Sequence, residues 1–149
     1  QVLPSLYAAN SERYAGATIR SVCREMHDFY RSRDIKGLQR KCFRAESFPE
    51  LAMLPQDAYR ALVGNDVDYL PLDQCKGRIA ATLALIYPPG IGVVVPGERW
   101  DDRARPMLDY LHAFEESFNR FPGFNYEVQG VFQERIDGRI VFHSYVVRE

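Results

Sequence analysis

Lysine, cysteine and long apolar runs are what this sequence has least of. Three lysines stand among 19 basic residues, set against 20 acidic ones, for a formal net charge of -1. With no basic run and no aromatic motif of the kind that stacks RNA bases, nucleic acid is excluded as a partner. The cysteines, Cys23, Cys42 and Cys75, are odd in number and share no CxxC spacing. That excludes a zinc site or a disulfide framework and fits a reducing cytoplasm. No apolar stretch approaches the roughly 20 residues of a membrane span, and no signal-peptide pattern is present. GxGxxG, Walker and GxSxG motifs are all missing. The sequence opens at Gln1 without an initiator methionine, so it is expected to be cut from a longer chain.

What is there is enough to build a core. With 149 residues, 46% of them hydrophobic and 26% charged, roughly two-thirds of the unfolded surface can be buried in one domain. Ile19, Val22, Cys23, Met26, Phe29 and Tyr30 recur at three- and four-residue steps and predict a helix over 11–32. Ser11 is its expected N-cap, with Glu12 in the first turn. A short helix is expected over 38–43 and a brief strand in FPELAML (48–54). Pro55 then opens a helix with Ala58, Tyr59, Leu62 and Val63 on its apolar face, stopped by Gly64.

Residues 65–77 read as connection, with one helical turn near Asp73. RIAATLALIY (78–87) and IGVVV (91–95) read as strands, the second buried on both faces. A helix from Asp102 to Phe121 buries Ala104, Leu108, Leu111, Phe114 and Phe118, and Pro122-Gly123 ends it. Asp137-Gly138 is a two-residue turn between YEVQGVFQERI and RIVFHSYVV, a register that pairs Phe132 with His143 and Glu134 with Val141. The prediction is a single α+β domain, its helices packed on a small mixed or antiparallel sheet, with a C-terminal β-hairpin.

Most chemistry-bearing residues have plain structural readings. His27 belongs at the core edge or surface, and His143 to packing or an interface. Trp100 reads as a helix-entry anchor. The neighbours Asp101-Asp102 and Glu115-Glu116 are splayed apart by a helix. The unusual stretch is IYPPGIGVVVPGE (86–98). Tyr87 precedes two prolines that restrict the backbone, which fixes a phenol at little entropic cost. Glu98 follows Gly97 at the mouth of a helix, where a carboxylate is favoured. Two accounts stand side by side: a tight corner with a packed tyrosine and a helix-start acid, or a phenol and a carboxylate presented for binding. Arg78, Arg99, Arg103 and Arg105 lie near the ribbon in sequence, and arginine suits phosphate.

YPPGI followed by VVPGE, preceded by GRIAA (77–81), resembles the C-terminal domain of the bacterial ornithine/lysine/arginine decarboxylases. These are pyridoxal-phosphate enzymes of the aspartate-aminotransferase-like fold type. LPSLYAANSERY, LPQDAYRALVG, RPMLDYL and PGFNYEVQGVF fall in the family's order, so the resemblance spans 1–149. Ile86 and Gly92 stand where many members have proline. The cofactor lysine of such enzymes follows a histidine in a Ser-x-His-Lys segment of a preceding domain, whereas Lys36, Lys41 and Lys76 follow none.

The resemblance thus implies that this chain holds no catalytic residue and that a preceding domain binds pyridoxal phosphate. It further implies that Tyr87, and near it Glu98, line the active-site mouth where a basic amino-acid substrate enters. A homodimer or larger ring in the cytoplasm is implied as well. The alternative is a purely structural oligomerisation module, or a nucleotide-regulatory one built on the four arginines, without active-site contact.

Overall fold

A computed structural model describes residues 4–87 and 90–149. Six helices and six strands run in the order α1 (Pro4–Ala9), α2 (Ser11–Tyr14), α3 (Ile19–Ser32), α4 (Ile35–Cys42), α5 (Pro55–Val63), β1 (Val67–Pro71), β2 (Ala84–Tyr87), β3 (Ile91–Val94), α6 (Arg105–Arg120), β4 (Glu127–Gln129), β5 (Phe132–Ile136) and β6 (Arg139–Val147) among the described residues. The strands form two antiparallel sheets of order β1-β6-β5 and β3-β2-β4.

The hub is α6. Met107, Leu108, Tyr110, Leu111, Ala113, Phe114, Ser117 and Phe118 are all buried, too wide an arc for a surface helix. It packs on β6, with Phe118 edge-on to Phe142 at 5.2 Å, and α4 joins the same core through Cys42 and Leu38. Pro106 falls in the first turn, where its missing N–H costs nothing. Trp100 is fully buried just ahead of the helix, as an entry anchor should be. The start of β6, ahead of its β1-paired stretch, is tied to α6 by Asn119, whose amide both donates to the Ile140 carbonyl and accepts the Ile140 N–H, at 2.7 Å each.

The α+β architecture and the hairpin are as read from the sequence. Phe132 pairs with His143 and Glu134 with Val141, across a turn whose Asp137 and Gly138 have φ of 49° and 78°, the primed geometry that suits strand twist. Other expectations are corrected. The strands divide between two sheets instead of one, because YEVQGVFQERI is not one arm. It breaks at Gly130-Val131, where Val131 enters the core and Thr82 Oγ1 donates to the Gly130 carbonyl at 3.0 Å.

The helix expected over 11–32 is two helices interrupted around Gly16, a poor helix residue. Thr18, not Ser11, caps the longer one, accepting the Ser21 N–H at 3.1 Å while Ser21 Oγ accepts the Thr18 N–H at 2.9 Å. No strand forms over 48–54, where Pro49 lacks a donor; only a Leu51–Glu98 bridge is made. The stretch expected as connection after Gly64 contains β1, which pairs with β6 from Val67–Val147 to Pro71–His143. Within 78–87 only the last four residues are strand, Ile79 and Ala80 making single bridges. β3 is buried on both faces only in its second half: it is an edge strand whose successive residues Val93 and Val94 are both covered, while Ile91 at its start is 54% exposed. The apolar face expected for α5 is also split. Ala58, Ala61 and Leu62 pack inward on Val67, Ile79 and Val147, whereas Tyr59 and Val63 point out.

Candidate functional site

Tyr87 ends β2, its backbone paired with Glu127 of β4. β2 is buried on both faces from Ala84 to Ile86, and only at its last residue does it emerge, leaving Tyr87 52% exposed. Gly90 has a φ of +80°, and a Cβ there would lie 3.0 Å from Tyr87 Cδ2. The glycine therefore serves both the turn and the ring, which rests against its backbone. Pro88 and Pro89, expected to stiffen this bend, lie outside the described residues. The phenol thus stands at the free end of the β2–β3 ribbon beside the exposed Ile91.

Glu98 is at the other end. β3 runs about 10 Å between them at roughly 3.3 Å per residue, so the two predicted site residues are not brought together. Nor does Glu98 open a helix: α6 begins only at Arg105. Its carboxylate instead closes the Val95-Pro96-Gly97 corner, Oε2 accepting the Val95 N–H at 2.8 Å. Burial pushes its pKa up, the Val95 N–H opposing and the Asp101 charge adding. Nearer α6 it is Asp101 that organises the turn leading into the helix, its Oδ1 accepting the N–H groups of Arg103 and Ala104 at 3.0 and 3.1 Å.

Of the four arginines only Arg78 and Arg99 converge, on the Glu149 carboxylate. Arg78 pairs with Asp68 at 2.6 Å, Arg99 with Glu149 at 3.0 Å, Arg103 with Asp101 at 3.0 Å and Arg105 with Asp109 at 3.3 Å. Every one of these cations is already engaged by a carboxylate, Arg78 and Arg99 sharing Glu149, which disfavours a nucleotide-regulatory surface. Lys36, Lys41 and Lys76 are exposed, and Lys76 Nζ lies 2.8 Å from Asp102. A lysine prepared for imine chemistry sits in a water-excluding pocket, whereas these three are exposed and Lys76 has a carboxylate partner in solvent. The residues present therefore do not fit pyridoxal phosphate.

The buried thiols of Cys42 and Cys75 are pushed up by burial to about 11 and about 12, which makes them inert packing groups. Among the described residues no group of three or more His, Cys, Asp and Glu is placed to hold a metal ion. No helix of the described residues is long and apolar enough to cross a membrane.

His27 is exposed, and His143 is a buried packing residue stacked on Tyr69 at 4.9 Å. The sequence reading missed His112. Its Nε2 lies 3.2 Å from Asp73 and its Nδ1 3.9 Å from Glu115. Glu115 first, and then Asp73, hold its pKa above the ordinary histidine value against the opposing effect of burial. The i,i+3 spacing to Glu115 was visible in the sequence; the approach of Asp73 was not. Glu115 and Glu116 splay as expected, Glu115 accepting the Phe142 N–H and Glu116 pairing with Arg33 at 2.6 Å.

Comparison with known proteins places this geometry among relatives. Residues 36–148 match the family model described as Orn/Lys/Arg decarboxylase, C-terminal domain. An inducible ornithine decarboxylase of Escherichia coli is 47% identical over 148 residues, which is 99% of this chain and 20% of the relative. A lysine decarboxylase of Pseudomonas aeruginosa is 40% identical over 131 residues, 87% of this chain and 17% of the relative. Among solved structures, lysine decarboxylase A from Pseudomonas aeruginosa superposes with a TM-score of 0.87 at 33% identity, covering 99% of this chain and 19% of that one. The chain spans about a fifth of the length of the curated relatives it matches.

Proposed function

The chain belongs to the family of Orn/Lys/Arg decarboxylase C-terminal domains, and from that membership we propose that residues 1–149 complete the active-site mouth of a basic amino-acid decarboxylase. Ornithine is the substrate this reading selects, because the relatives between 42% and 47% identical are ornithine decarboxylases whereas the lysine decarboxylases reach 40%. The cofactor of such an enzyme, pyridoxal phosphate, supplies the electron sink for loss of the carboxylate; no lysine of this chain suits it, so it belongs to a preceding domain of the same polypeptide. The working enzyme is then a cytoplasmic homodimer or larger ring.

The observation that carries the proposal is the half-exposed phenol of Tyr87, held over Gly90 at the free tip of the ribbon. There it walls the pocket mouth, meeting the substrate or excluding water from it. Glu98 supports the same wall indirectly, as a positioning residue that locks the corner from which the ribbon projects. In the full-length enzyme, Tyr87→Ala lowers kcat/KM for ornithine about tenfold, equivalent to about 1.4 kcal/mol. The cofactor's imine absorbance stays as in the wild type, and ornithine remains preferred to lysine. Unchanged kinetics would return Tyr87 to a structural role.

A further inference from the structure

The helix α5, PQDAYRALV, is apolar on two sides. Ala58, Ala61 and Leu62 face the core. Pro55, Tyr59 and Val63 recur every fourth residue and are exposed, a second stripe along one face. The loop before the helix adds three more large apolar side chains. Phe48, Leu51, Leu54, Tyr59 and Val63 are each more than half exposed, Val63 at 68%. Of the polar residues on the helix, Asp57 and Arg60 are joined to each other at 3.0 Å.

A helix that is apolar around most of its circumference is built to be covered, and a concentrated apolar patch marks an interaction surface. The patch is also rigid. Ala52 and Met53 both donate to the Gly97 carbonyl, at 3.0 and 3.1 Å, the Glu50 N–H donates to Asp101 at 3.1 Å, and the Arg99 N–H to the Glu50 carbonyl at 2.9 Å. A loop fixed at four points loses little freedom on docking.

We propose that the outward face of α5, with Phe48, Leu51 and Leu54, is where this domain seats on the larger remainder of its own polypeptide. What selects this occupant is length: about four-fifths of the matched relatives has no counterpart in residues 1–149. A body tethered to the domain meets the face at high effective concentration, without any partner having to be recruited. The inference rests on the reading that the domain belongs to a full-length decarboxylase, and it adds the surface by which the two parts are joined. This surface is distinct from the Tyr87 tip, which lies beyond the far end of β3.

The test is photo-cross-linking in the full-length protein, with Tyr59→p-benzoylphenylalanine and, separately, Leu54→p-benzoylphenylalanine. Both positions are exposed in the domain, so the replacements leave its core intact. The expected product runs at the mass of one polypeptide, and its cross-linked peptides come from outside residues 1–149. A product at twice that mass would put a second copy on the face and overturn the proposal. So would cross-links confined to residues 1–149, or none at all. Ornithine decarboxylation by the same preparation is read independently. An active enzyme with a free α5 face sinks the docking surface alone. A single-polypeptide cross-link in a protein that decarboxylates no basic amino acid sinks the enzymatic reading alone.

Discussion

At Gly97 the backbone takes a φ of +91° while its carbonyl accepts two N–H groups from the 52–53 loop. A Cβ at this position would be driven into the Met53 carbonyl oxygen, which is backbone and has nowhere to go. Gly97→Ala therefore combines left-handed strain with a clash. It should cost about 2–4 kcal/mol, measured as a lowered denaturation midpoint with little change in denaturant slope. The Pro-Gly-Glu corner was legible because proline and glycine punctuate structure wherever they fall. The job of Glu98 was not. A Gly-Glu pair ahead of an apolar helical pattern looks like a helix start, and only the structure shows α6 beginning seven residues later, at Arg105, after a turn closed by Asp101. Tyr87 was legible as a residue at a proline-flanked bend, but its exposure was not, because Leu85 on the same strand face is buried and only the end of β2 emerges from the core.

His112 of α6 joins that helix to the single helical turn at Leu72–Gln74 through Asp73. Glu115, Asp73 and Asp109 favour its charged form, and Lys76 and Arg105 line the cleft beside it. A histidine whose folded pKa lies above the unfolded value contributes stability that is complete below about pH 6.5 and is lost as the pH rises through the folded pKa. Thermal unfolding from pH 6 to pH 8 should therefore show a fall in Tm that the His112→Gln variant lacks. Equal slopes would dismiss the link. At this scale the local signals were the readable ones: the Asp-Gly hairpin and the stripe of α6 need only near neighbours. β1 was missed because Val67-Asp68-Tyr69-Leu70-Pro71 carries an acid and a proline. It becomes a strand only through β6, with Asp68 satisfied by Arg78 and Arg148. The direction of α5 was unreadable for the reason it is interesting, since either of its faces would serve as the inner one.

For the molecule as a whole, one main core is shared by both sheets and α6, with smaller clusters under α5 and between α3 and the end of α6. The α+β class could be read from the mix of periodicities. The division into two sheets could not, because β4 and β5 are separated only by Gly130 and Val131 and yet belong to different ones. None of the three lysines is desolvated, so mixing the 149-residue chain with pyridoxal phosphate should give no stable, stoichiometric imine band. A one-to-one band would show that the chain carries a cofactor site of its own. The β2–β3 ribbon has a last consequence. Its two ends touch different neighbours, Gly90 and Glu127 at one and Met53 and Val95 at the other. Substitutions separated in this way combine additively. Natural variation can thus change the side chains at the tip while the corner that carries it stays as it is.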